Sequence, residues 1–115
     1  MTIRGVQPRV LYTVLPAEPG LQKELDLLRT RVRQAEETDV ILDMSAVDTI
    51  TSPSIGSLVL LYRFLHQRGQ RLILCNTRVV TQSILYVAGL CELFEFAEDK
   101  VEALALLHEN PQSNG

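Results

Sequence analysis

The chain has 115 residues, 46% hydrophobic and 22% charged, the balance of a globular domain with one core of ordinary size and not of a disordered segment. Its net charge of -3, the absence of Trp and an aromatic content of 5% exclude a broad electrostatic footprint for nucleic acid and the stacking platforms of a single-strand binder. Arg29, Arg31 and Arg33 are set among Glu24, Asp26, Glu36 and Glu37, which reads as a solvated helix face.

The elements follow one another at short spacing. Thr2 to Val6 reads as a weak first strand, pairing with a strand from Val10 to Leu15 that stops at Pro16. Glu18-Pro19-Gly20 is a break, and Leu21, Leu25, Leu28 and Val32 then recur at helical spacing. Thr38-Asp39 is read as the end of that helix region. Val40 to Met44 follows as a strand without polar alternation, as expected of one buried on both faces. A helix opened by Ser52 as N-cap and Pro53 in its first turn carries Ile55, Leu58, Val59, Tyr62 and Leu65, and ends near Arg68 with Gly69 as its cap. Leu72 to Cys75 is a buried strand and Asn76-Thr77 a turn. Val79, Val80, Ile84, Val87 and Ala88 mark a helix ended by Gly89, with Leu90 as its hydrophobic contact. Leu93 to Phe96 is a short strand, Glu98-Asp99 opens a last helix through Val101, Leu104 and Leu107, and residues 110–115 form a polar tail.

Strand alternating with helix implies an α/β fold: a mixed, mostly parallel β-sheet covered by helices, in one domain spanning residues 1–115 with its core at about 9–107. In such sheets ligands meet the loops at the carboxyl ends of the strands. The loop from Ser45 to Ser54 lies at such an end and is rich in hydroxyls, with Thr49, Thr51, Ser52 and Ser54.

Catalytic and metal chemistry find little support. Asp43 and Asp48 flank a turn, where Asp48 is expected to bond its own backbone and Asp43 to be structural or partner-facing. His66 and His108 have no neighbouring metal ligands, and Cys75 and Cys91 lack a CxxC partner, so buried free thiols are expected and no metal or cofactor. There is no G-x-S-x-G elbow and no Walker-type glycine loop. Met1 to Gly5 contains no apolar core of a secretory signal, and no apolar stretch approaches membrane-spanning length, so a cytoplasmic protein without membrane insertion is expected.

The pattern Asp43-x-Ser45-x-Val47-x-x-Ile50-x-Ser52-x-x-x-Gly56 resembles the STAS domain, the fold of bacterial anti-sigma factor antagonists. Tyr62-x-x-Leu65 leading to Gly69 and Leu72-Ile73-Leu74-Cys75, then Ile84-x-x-Val87-x-Gly89-Leu90-x-x-Leu93-Phe94, resemble that family's following helix, strand and closing segment. The resemblance implies a non-enzymatic regulatory domain. Its partner would be an anti-sigma factor that is also a serine kinase, and phosphorylation of a serine at the start of the second helix would break the complex. That serine falls on Ser52, with Thr51 and Ser54 as lesser candidates. Asp48, Thr51, Ser52, Pro53, Ser54 and Ser57 would form the contact surface, bordered by Gly89 and Leu90. Three positions depart from the family pattern: Thr51 stands where Asp is common, Ser54 where Gly is common, and a Gly-Glu-Leu-Asp type turn is replaced by a segment holding only Glu18. The same fold also serves scaffold and transporter-accessory subunits, in which no phosphate switch operates. A small nucleotide-binding or hydrolytic enzyme using the same loop is the reading from another class. A homo-oligomer is compatible with each.

Overall fold

A computed structural model describes residues 9–109. The strand expected at Thr2 to Val6 and the tail at 110–115 lie outside the described residues. Four strands and four helices alternate: β1 (Arg9–Val14), α1 (Leu21–Gln34), β2 (Thr38–Asp43), α2 (Ser52–Gln67), β3 (Leu72–Cys75), α3 (Val79–Val87), β4 (Glu95–Ala97) and α4 (Lys100–Glu109). Among the described residues the sheet is wholly parallel, in the order β1-β2-β3-β4. Thr38 and Asp39, read from the sequence as the end of the first helix, are instead the first residues of β2 and pair with Arg9 and Val10. The last strand begins at Glu95, because Leu93 is still in a turn, its N–H donating to Leu90 O at 3.0 Å.

The strand residues alternate between two cores, as a strand buried on both sides requires. Val40, Leu42, Leu72 and Leu74 face the helices that connect the strands, packing against Leu21, Leu25, Leu28 and Val32 of α1, Leu58, Leu61 and Leu65 of α2, and Leu85 of α3. Ile41, Ile73, Cys75 and Ala97 face the other way, against Ala103 and Leu107 of α4. Three connecting helices therefore share one face and α4 covers the opposite one. Its buried residues are Ala103 and Leu107, whereas Val101 and Leu104, expected in its apolar stripe, are exposed.

The glycine signals for helix ends hold in detail. Gly69 and Gly89 adopt φ of 75° and 78°, a left-handed conformation that glycine reaches at no steric cost. In each case the six-residue closing bond of a Schellman motif forms, Gln70 N–H to Leu65 O at 2.8 Å and Leu90 N–H to Leu85 O at 2.9 Å. The parallel strands bring the four strand-to-helix loops, 15–20, 44–51, 76–78 and 98–99, to one end of the sheet.

Candidate functional site

Asp43, the last residue of β2, anchors this end. Its Oδ1 accepts the Ser45 N–H at 2.9 Å, and its Oδ2 accepts the Tyr12 hydroxyl and the Asn76 side-chain amide, the latter at 3.2 Å. Burial works against the charge of this carboxylate, but the hydrogen bonds from Tyr12, Ser45 and Asn76 outweigh it and hold its pKa below the ordinary value. The same bond to Asp43 pushes the Tyr12 hydroxyl up to about 12. Lys100 Nζ sits 4.2 Å from the centre of the Tyr12 ring. Because Ser45 begins the loop to α2 and Asn76 begins the loop to α3, one carboxylate sets the departure of both helices. The sequence motif Asp43-x-Ser45 is the local trace of this arrangement. Asp43 is therefore structural, one of the two roles expected of it, while Asp48 is exposed.

The start of α2 differs from its sequence reading in a way that bears on function. Thr51, and not Ser52, is the N-cap, with φ -87° and ψ 165°, and no side chain caps the helix from that position. The Thr51 hydroxyl is drawn outward to a carboxylate from across the chain. Glu18 Oε2 accepts the Thr51 N–H at 2.9 Å and the Thr51 hydroxyl at 3.0 Å, and Thr51 Oγ1 lies 3.3 Å from Ser54 Oγ. Partial burial raises the Glu18 pKa, but the bonds from Thr51 and Ser54 prevail and the carboxyl is held below the usual glutamate range. Glu18 was legible only as the acidic residue left in an atypical turn. Folding brings its carboxylate to the N-cap residue of α2.

The expected contact surface is split by this packing. Thr51, Ser52, Pro53 and Gly56 are exposed, as are Asp48 and Thr49. Ser54 and Ser57, expected to face a partner, are buried instead. Ser57 Oγ donates to Asp26 Oδ1 of α1 at 2.8 Å, so this serine turns inward to tie α1 to α2. Of the three candidate hydroxyls, Thr51 is engaged by Glu18, Ser54 is enclosed, and Ser52 is exposed without a hydrogen bond among the described residues. Gly56 lies one turn further on the same face of α2. A Cβ added there meets nothing within 4 Å.

Sequence reasoning found α3 but not which of its faces is covered. Val79, Val80 and Val87 supply the apolar signal for that helix, yet they are 79%, 58% and 84% exposed, with Tyr86 at 73%. The buried residues of α3 are Thr81 and Leu85. Thr81 donates to Val47 O at 2.6 Å and Arg78 to Ser45 O at 3.3 Å, which fastens the first turn of α3 to the loop that leads into α2. Gly89 is exposed beyond the far end of this face, and Leu90 folds back onto the core. The bare face of α3 carries no charged residue from Val79 to Val87, and the helix meets the loop before Ser52 through Arg78 and Thr81.

Among the described residues, no three His, Cys, Asp or Glu side chains gather where they could hold a metal ion, and no helix is long and apolar enough to cross a membrane. Cys75 and Cys91 are both free thiols, the first buried and the second half-buried.

The STAS domain family model matches residues 23–103 of the chain. The fold is similar to that of a Planctomyces limnophilus protein described as an anti-sigma-factor antagonist (STAS) domain protein, with a TM-score of 0.74 and 18% identity over 84% of this chain and 89% of that one. It is similar also to the crystal structure of a Thermotoga maritima protein described as a candidate anti-sigma factor antagonist, with a TM-score of 0.68 and 16% identity over 86% of this chain and 87% of the other. No curated protein matches the chain in sequence.

Proposed function

The chain belongs to the STAS domain family, and on that footing we propose that it is an anti-sigma factor antagonist. In this reading it binds an anti-sigma factor with serine kinase activity while Ser52 is unmodified, and a phosphate on Ser52 ends the complex. One observation carries the choice of residue. Among the clustered hydroxyls of Thr51, Ser52 and Ser54, that of Ser52 alone is both exposed and unengaged within the described residues. Pro53 and Gly56 beside it are exposed and uncharged, and the nearby Glu18 carboxylate is already taken up by Thr51, so one added phosphate alters this surface. A phosphate contributes about −1.5 to −2 charges to such a surface. In this reading the domain acts by binding and not by turnover.

The test uses the purified protein with an anti-sigma kinase recovered from its native cytosol. Incubation with ATP should add one phosphate, mapped to Ser52 by mass spectrometry. Ser52→Asp should keep its thermal midpoint within a few degrees, as expected for an exposed site, yet bind the partner on the order of a hundredfold more weakly. A phosphate on another residue, or a Ser52→Asp variant that binds as well as the unmodified protein, would overturn this reading. The Glu18 carboxylate at the start of α2 favours one second reading: a STAS scaffold or transporter-accessory subunit that docks through the same surface without a phosphate. Recovery of membrane-transport or large-assembly subunits, with the protein remaining unphosphorylated, would select it.

A further inference from the structure

We propose that Glu18 is the group through which phosphorylation of Ser52 reaches the rest of the domain: its carboxylate holds the start of α2 in the unmodified protein, and a phosphate on the next residue of that helix expels it. The inference rests on the reading of Ser52 as the acceptor.

A helix N-terminus ordinarily offers several unpaired N–H groups to an anion. At α2 part of that cradle is already in use. The Thr51 N–H and hydroxyl both point to Glu18 Oε2, at 2.9 Å and 3.0 Å, and Pro53 in the first turn has no N–H to offer. A phosphate on Ser52 therefore does not enter a wholly vacant anion site. It arrives beside a carboxylate that occupies the same positive end of the helix.

The two anions are unequal. The phosphate carries about −1.5 to −2 charges and three acceptor oxygens, against one charge and two oxygens on Glu18. It is also attached to the helix itself, whereas Glu18 reaches Thr51 from 33 residues away in sequence. Like charges sharing one site disfavour each other, and the group held by the longer tether gives way. Among the described residues, the hydrogen bonds that join the segment 16–20 to the start of α2 all end on Glu18. Expulsion of Glu18 thus uncouples the β1–α1 loop from α2, while the Ser57–Asp26 bond still joins the two helices one turn further on. The phosphate is then felt at a second surface element, and not only as charge at Ser52.

Phosphoserine installed at position 52 during translation tests this without any kinase, with residue-resolved amide hydrogen exchange as the readout. The Thr51 amide should exchange about tenfold faster in the phosphorylated protein, the effect of losing one charge-assisted hydrogen bond. The Leu61 amide, deep in α2, should be unchanged. Glu18→Ala should show the faster Thr51 exchange with no phosphate present. Glu18→Gln keeps a neutral acceptor, so in that background phosphoserine should leave Thr51 protected. Unaltered Thr51 exchange on phosphorylation of the otherwise native chain, or equal acceleration in Glu18→Gln, would overturn the proposal. Neither result bears on whether a partner kinase modifies Ser52, which the binding and mapping experiment above decides separately.

Discussion

The helices α2 and α3 leave the same end of the sheet, and each begins at a residue in extended conformation without a side-chain cap. Their surroundings are opposite. The first turns of α2 are held by two carboxylates, Glu18 on Thr51 at the surface and Asp26 on the inward-turned Ser57. The helix α3 is attached by Thr81 and Leu85 on one side and leaves Val79, Val80, Tyr86 and Val87 bare on the other. Two hydroxyls, of Ser54 and Ser57, are thus buried where a contact surface was expected, and the valines that signalled α3 are exposed. The contrast shows that polarity alone does not assign a residue to a surface once a neighbouring element can supply a partner. The bare side of α3 is apolar and uncharged, while its other side is fastened to the loop before Ser52 by Thr81.

The largest effect that would test the contrast is on stability. Leu61→Ala removes a fully buried side chain on the inner stripe of α2 and should cost about 2–5 kcal/mol in denaturant unfolding. Val87→Ala on α3 should stay within about 0.5 kcal/mol of the unmodified protein, because that side chain has no core to leave. A comparable loss from both variants would mean that α3 is covered in solution, and the contrast would fail.

A second test addresses what the two helices share. Asp43 fixes Ser45 ahead of α2 and Asn76 ahead of α3, with Tyr12 as its third donor. The Tyr12 pKa is raised in the folded protein, so its contribution is complete below the ordinary value of 10 and is lost as pH rises toward about 12. Asp43 has a lowered pKa, so its contribution is present above the ordinary carboxylate value and is lost as pH falls through the folded one. Urea midpoints measured across pH should decline at both extremes. Tyr12→Phe should lessen the alkaline decline, leaving the part due to the buried Cys75 thiol, and should also lessen the acid decline because Asp43 loses a donor. An alkaline limb unchanged in Tyr12→Phe would separate the two helices from this common base.

The smallest expected effect concerns Gly56. Glycine in an exposed helix interior costs about 1 kcal/mol relative to alanine, and nothing within 4 Å in this chain requires its lack of a Cβ. Gly56→Ala should therefore raise the thermal midpoint by a few degrees while weakening the partner complex, if the partner approaches the helix closely beside Ser52. Unaltered binding would move the contact away from that turn and toward α3.

Much of the fold was legible from local signals. The spacing of Leu21, Leu25, Leu28 and Val32 places one face of α1 on the core, and the unbroken apolar run of β2 matches its burial between two layers. Gly69 and Gly89 end their helices with the left-handed turns that glycine makes readily. The order and spacing of these pieces also sufficed for the family resemblance, since each depends on residues within a few positions of one another.

Tertiary structure decided the site. That Thr51 is the cap, that Ser54 and Ser57 are enclosed, and that α3 is bare all depend on partners remote in sequence. Glu18 lies 33 positions from Thr51, and Asp26 lies 31 from Ser57. The register of a parallel sheet and the packing of α1 against α2 bring such residues together, and neither leaves a periodic trace in the chain. A helical pattern identifies an apolar stripe, but when apolar residues surround the helix, as in α3, only the arrangement of its neighbours selects the face that is covered.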